Sequence, residues 1–246
     1  MKARENARFA SARQMLELGS TILRSLPKDM TEQTALEWIG QPDSIAKILR
    51  NAFMMPAVYA QEVYDSWRAM YKELFGYDTP EVVPIPTRNV MNGLSLIVVA
   101  EGCSVRPVFT LCQKYFPCTV RERGGQDGLG TACSINNRSA DKTYAVWIRN
   151  RMEADGEFKY KSANELRDSG HDGITLLERL LYELKFFRES GEHLDFATGT
   201  LCTGTVTMFG GTAYIPVVAW ESGSLKIDWV NPGSTSELVR SREVFA

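Results

Sequence analysis

The chain has 246 residues and nearly balanced charge, with 28 Lys and Arg against 30 Asp and Glu. No global field therefore draws it toward nucleic acid or anionic lipid, and its longest apolar runs, such as "LSLIVVA", are too short to span a bilayer. Five cysteines without a Cys-x-x-Cys pair, and only two histidines, argue against a disulfide framework and a metal site.

Residues 1–80 read as a helical N-terminal region. The opening "MKARENARFASARQ" is charged and has no apolar signal segment, so a cytoplasmic location is expected. "DSIAKILRNAF" reads as one helix. A longer one runs from about Val58 to Phe75, with Tyr59, Val63, Trp67, Met70 and Leu74 at helical spacing and Gly76 as its stop. That stripe reads either as core or as a partner-binding face. Three prolines in "PEVVPIPTRNVMNG" suggest a linker, so the second domain is placed at 81–246.

"LSLIVV" is strand-like, and Ser104 is placed to cap a helix through Tyr115. Gly124 to Gly130 lacks the Gly-Lys-Ser/Thr ending of a phosphate loop and reads as a surface loop. "TYAVWIRN" is a strand. Ser162 with Glu165, and Thr175 with Glu178, have capping-box spacing. The second box opens a helix with Leu177, Leu180, Leu181, Leu184 and Phe187 on one side. Arg179 and Glu183 are expected as an i,i+4 pair outside, and Gly191 ends the helix. After Leu201 the pattern is β: "TLCTG", "YIPVVAW", "LKIDWV" and "REVF". The fold class expected is α+β, a helical region followed by a domain with a terminal antiparallel sheet.

A two-residue turn at Ser222-Gly223 pairs Glu221 with Ser224 and Trp220 with Leu225. One hairpin face is then wholly apolar: Pro216, Val218, Trp220, Leu225, Ile227 and Trp229. The other, with Val217, Ala219, Glu221, Ser224, Lys226, Asp228 and Val230, has no common chemistry. It reads as a plain solvated face or as a binding platform on a rigid scaffold.

The segments "YAVWIRNRMEADGE", "SANELRDSGHDGITLLERLLYELKFFRESGEHLD", "TLCTG" and "IPVVAWESGSLKIDWVNPGSTSELVRSR" resemble the variable proteins that diversity-generating retroelements target, which have a C-type-lectin-like fold. The resemblance covers roughly residues 90–246 and is densest after Tyr144. It implies a fixed scaffold with one surface diversified for ligand binding, through adenine-directed changes at Asn-type codons. The positions it implies are Tyr214, Val217, Ala219, Lys226, Asp228, Val230, Ser234, Ser236 and Leu238. Lys226 departs from the pattern, since adenine changes in an Asn codon do not lead to Lys. Val239 stands where the family shows Leu, and "TVTMFGGTAY" is irregular against it.

The expected function is thus a non-enzymatic binding protein of bacterial type. It would have no cofactor, metal or catalytic residues, no membrane or nucleic-acid partner, and an unknown macromolecular ligand, a protein by the mixed chemistry of the face. Two alternatives stand beside it. Cys202 with His193, flanked by Glu192 and Asp195, could serve a cysteine-dependent enzyme of a related lectin-like fold. The basic N-terminal segment could serve a helical assembly module.

Overall fold

A computed structural model describes residues 19–20, 22–24, 26–42, 44–45, 56–80, 83–86, 93–130 and 134–246. The N-terminal "MKARENARFASARQ" lies outside the described residues, as does "DSIAKILRNAF" except for Ser44 and Ile45. The chain forms two compact units, Met1–Phe53 and Met54–Ala246. The first contains α1 (Glu32–Ile39), capped by Thr31 Oγ1, which accepts the Thr34 amide at 3.2 Å. None of its residues is buried.

The second unit begins with α2 (Pro56–Phe75), which the sequence grouped with the N-terminal region. Its packing explains why the division falls before it and not at the prolines. Strand β1 (Leu94–Val99) would be a bare sheet edge, with unpaired carbonyls. Trp67 Nε1 donates to Leu96 O at 2.9 Å, and the Tyr71 hydroxyl donates to Val98 O at 2.7 Å. The buried stripe is Ala60, Tyr64, Trp67, Met70 and Tyr71. Val63 and Leu74 are only half-buried, and the Tyr59 side chain lies outside the described residues. Gly76 ends the helix with φ 68°, as expected.

Besides a short 3-10 turn at Gly156–Phe158, the further elements among the described residues are α3 (Val105–Tyr115), β2 (Cys118–Val120), β3 (Ser134–Asn136), β4 (Tyr144–Arg149), α4 (Ala163–Asp168), α5 (Leu176–Ser190), β5 (Gly199–Leu201), β6 (Thr205–Phe209), β7 (Thr212–Glu221), β8 (Ser224–Val230), β9 (Val239–Ser241) and β10 (Val244–Phe245). The fold is α+β. One sheet has the order β1-β4-β10, and the other β2-β8-β7-β5-β9, with β3 and β6 continuing from the start of β7. Both capping boxes are present, at Ser162/Glu165 and Thr175/Glu178. Ser104 precedes α3, but its side chain makes no capping bond.

Helix α5 lies against β1 of one sheet and β7 of the other, so it is buried on nearly all sides from Leu176 to Lys185. That overturns the outside placement of Arg179 and Glu183, both of which have zero exposure. A helix held between two sheets has no solvated face on which to leave an ion pair. The surface loop expected at Gly124–Gly130 is also partly internal. Leu129 is buried, and a Cβ on Gly128 would lie 2.6 Å from Phe209 and 2.7 Å from Trp229.

Candidate functional site

The hairpin forms in the register derived from the sequence, from Glu221 opposite Ser224 to Pro216 opposite Trp229. Ser222 at φ 54° and Gly223 at φ 75° give the two left-handed turn residues that match strand twist. On the apolar face, Val218, Leu225, Ile227 and Trp229 join the main core. The indole of Trp229 is oriented by its Nε1, which donates to Arg121 O at 2.7 Å.

Tyr214 belongs to this face, not with Val217. The irregular "TVTMFGGTAY" is β6, a Gly210-Gly211 turn and the start of β7. Thr207 stands opposite Tyr214, which is in phase with Pro216 and Val218. The Tyr214 ring contacts Phe209 edge-on at 5.7 Å and carries the Arg123 guanidinium at 4.5 Å.

The other face is not uniformly open. Ile215, Val217, Leu201 and Ala163 form a second, smaller core, with Val206, Val230 and Val239 packed on it. Helix α4 supplies Ala163, and the 231–238 loop lies alongside. Asn164 N donates to Pro232 O at 3.1 Å, and Tyr160 N to Ser236 O at 3.1 Å. Val217 is therefore a core residue, and Val230 is half-buried, contrary to a display role for either. Alternation gave the correct face, but not the helix that covers its middle.

What stays accessible surrounds that covered centre. Lys226 pairs with Glu221 at 2.9 Å, and Asp228 with Arg121 at 2.8 Å, with about two fifths of the Lys226 and Asp228 side chains exposed (39% and 41%). Ala219, opposite Lys226, is half-buried. Its other neighbour, Gly199, is tightly enclosed, since a Cβ would lie 3.0 Å from the Val217 side chain and 3.4 Å from that of Ala219. Ser234 is exposed, and Leu238 is 60% exposed. Ser236 is tied down, its hydroxyl accepting the Leu238 amide at 3.1 Å. Sequence reasoning missed Phe196, 55% exposed beside the half-buried Trp220. The Glu153 carboxylate fixes its loop by accepting the amides of Phe196, Ala197 and Thr198 at 2.9–3.1 Å. No periodicity marks such a residue.

Beneath the sheet lies a buried ionic network. Asp195 accepts from Arg179 Nη2 at 2.8 Å and Arg242 Nη2 at 2.6 Å. Arg179 Nη1 donates to Glu183 at 2.7 Å, and Arg242 Nε to the Thr200 hydroxyl at 2.9 Å. None of the four charged side chains is more than 1% exposed. A second cluster joins Arg138 to Glu178 and Asp172, with the Tyr144 hydroxyl donating to Glu178 at 2.9 Å. Burial, then the Glu178 charge, raises the Tyr144 pKa.

The residues of the cysteine-dependent alternative are not assembled as a pair. Cys202 is fully buried, and its thiol donates to Thr200 O at 3.8 Å. Burial pushes that thiol well up. His193 instead places Nδ1 2.8 Å from Glu183, with its ring stacked on Trp220 at 3.3 Å and on Phe187 at 4.8 Å. No hydrogen bond joins Cys202 to His193. Cys103 and Cys118 are likewise pushed up to about 12 by burial. Among the described residues, no three His, Cys, Asp or Glu side chains cluster to hold a metal ion, and no helix is long and apolar enough to cross a membrane. Comparison with known proteins yields no matching family model, no matching curated protein and no matching solved structure.

Proposed function

We propose that this chain is a non-enzymatic binding protein whose terminal sheet and following loop present a replaceable surface to a protein partner. The proposal includes a C-type-lectin-like scaffold diversified by a retroelement, as the C-terminal motifs suggest, and a cytoplasmic setting. One observation carries it. A single hairpin sends Val218, Leu225, Ile227 and Trp229 into the core, while Ala219, Lys226 and Asp228 on its other face stay accessible. With Ser234 and Leu238 they form a shallow surface of mixed chemistry around a small apolar centre. That anatomy suits a protein partner better than a deep small-molecule pocket. The revised display set is Ala219, Lys226, Asp228, Ser234 and Leu238.

The test randomises Ala219, Asp228, Ser234 and Leu238 together, and separately Val218, Ile227 and Trp229. Most members of the first library should unfold cooperatively near the parent midpoint, and most of the second should not fold. Equal loss in both would end the display reading. Sequencing the DNA beside the gene tests the retroelement part. A reverse transcriptase and a near-repeat of the terminal coding stretch are expected, and neither being present would remove that part alone.

A further inference from the structure

An open hollow of about 600 Å³ lies on the Tyr214 side of the sheet, lined by Glu122, Arg123, Gly124, Gln126, Phe209, Gly210 and Tyr214. Its walls are two tight turns, each with two glycines at positive φ: Gly124-Gly125 and Gly210-Gly211. All four are exposed, and a Cβ at any of them would meet nothing within 4 Å, so the turns stand clear of other side chains. Two-residue turns of this hand need left-handed conformers, which glycine supplies without strain. The apolar lining is the half-buried Tyr214 ring and the small accessible part of Phe209, which is 7% exposed and packs edge-on against the buried Trp229 at 5.2 Å.

Arg123 gives the hollow its polarity. The guanidinium is held by Nη2, which donates to Trp229 O at 2.9 Å, and by the Tyr214 ring beneath it. It forms no ion pair among the described residues, whereas Arg121, two positions earlier, is paired with Asp228. Its Nε is buried without an acceptor. Nη1 has no described partner, and neither does the Gly124 amide. Glu122 also lines the hollow, but it is exposed and forms no ion pair with Arg123, and a half-buried cation fixed in place without an ion-pair partner favours an anion beside it. The neighbouring rings favour an anion with a flat apolar body.

We propose that this hollow is a binding site for an aromatic carboxylate. Its carboxylate would take the free Nη edge of Arg123 and the Gly124 amide, and its ring would lie against Phe209 and Tyr214. The site is independent of the display reading, because it opens on the opposite side of β7 from Ala219 and uses no residue of the revised display set.

The experiment titrates sodium benzoate into the ¹⁵N-labelled full chain, following backbone amides by NMR, with benzamide as the neutral isostere. Benzoate should give saturable shifts confined to residues 123–126 and 209–214, with Kd on the order of 1 mM. Benzamide should bind about tenfold more weakly, and Arg123→Gln should weaken benzoate by a similar factor. Equal response to the two probes would overturn the carboxylate assignment. Absence of saturable shifts in those residues would overturn the site. If Arg123→Gln fails to fold, the comparison of the two probes on the parent chain still decides the matter.

Discussion

Asp195→Asn tests the buried ionic network at the one anion shared by two of its cations. The Asp195 carboxylate balances Arg179 and Arg242, and with Glu183 these four buried charges sum to zero. Asp195→Asn keeps the size and tolerates the left-handed backbone at φ 60°, but leaves one net buried positive charge. It also loses acceptor capacity where two guanidinium groups and the Thr200 hydroxyl donate. Breaking a buried pair this way costs about 3–5 kcal/mol. Against a typical stability of roughly 5–15 kcal/mol, that is a large fraction. In urea unfolding the midpoint should fall by about 1 M or more, with the slope unchanged. Combining Asp195→Asn with Arg242→Met should recover part of the loss, because the second change removes the stranded charge. A single-variant loss below about 1 kcal/mol, or no recovery in the double variant, would mean that water or rearrangement compensates, and the account of this interior would be wrong.

Three further outcomes follow from the geometry. Trp229→Ala should cost roughly 3–5 kcal/mol in the same assay and Val217→Ala about 1–3, while Ser234→Ala should stay within about 0.5. Gly204→Ala should destabilise by about 1–3 kcal/mol or more, because its Cβ would lie 2.4 Å from Gly173 O, a backbone atom that cannot swing away. His171, whose Nε2 lies 2.8 Å from the Ser241 hydroxyl, has its pKa lowered from 6.5 by burial, partly offset by Glu243, Asp155 and Asp172. The unfolded chain therefore takes up this proton first, so stability is full above about pH 6.5 and falls as pH drops toward the folded value; His171→Gln should flatten that part of the pH profile.

Local rules were legible at most places where they acted through neighbours in sequence, the Ser104 cap being the exception. The capping boxes at Ser162 and Thr175, the left-handed stop at Gly191 and the whole Ser222-Gly223 hairpin register are settled within a few residues. Most of the errors share one cause, burial by elements distant in the chain, and the Tyr214 error is instead one of strand phase. Arg179 and Glu183 have ordinary i,i+4 spacing, and nothing nearby says that sheets lie on two sides of their helix. Val217 alternates like a solvated residue, yet Ala163 of α4 covers it. Tyr214 was placed by resemblance across an irregular segment, and the β6–β7 turn puts it on the opposite face. The ionic network draws on Arg179, Asp195, Thr200 and Arg242, so no sequence window contains it. Phe196 and the Arg123 hollow carry no periodic signal.

The 231–238 loop shows how such an interior bears on a display surface. It leaves β8 just after Trp229, which is locked in the core, and returns through β9 to Arg242, which is locked in the ionic network. Between these anchors, Gly199 N donates to Leu238 O at 2.7 Å and Tyr160 N to Ser236 O at 3.1 Å, both through backbone carbonyls that any residue supplies. Side chains at 234 and 238 can therefore change while the path of the loop persists. Arg242→Ala should show the reverse dependence, because it removes the far anchor and leaves Asp195 without one of its two cations. Amide exchange at Gly199 and Tyr160 should then accelerate before the global unfolding limit is reached, as local opening of the loop. Combined replacement of Ser234 and Leu238 should leave both amides protected as in the parent. Equal acceleration in the two variants would place the loop's stability in its own side chains, and the separation of anchor from display would fail.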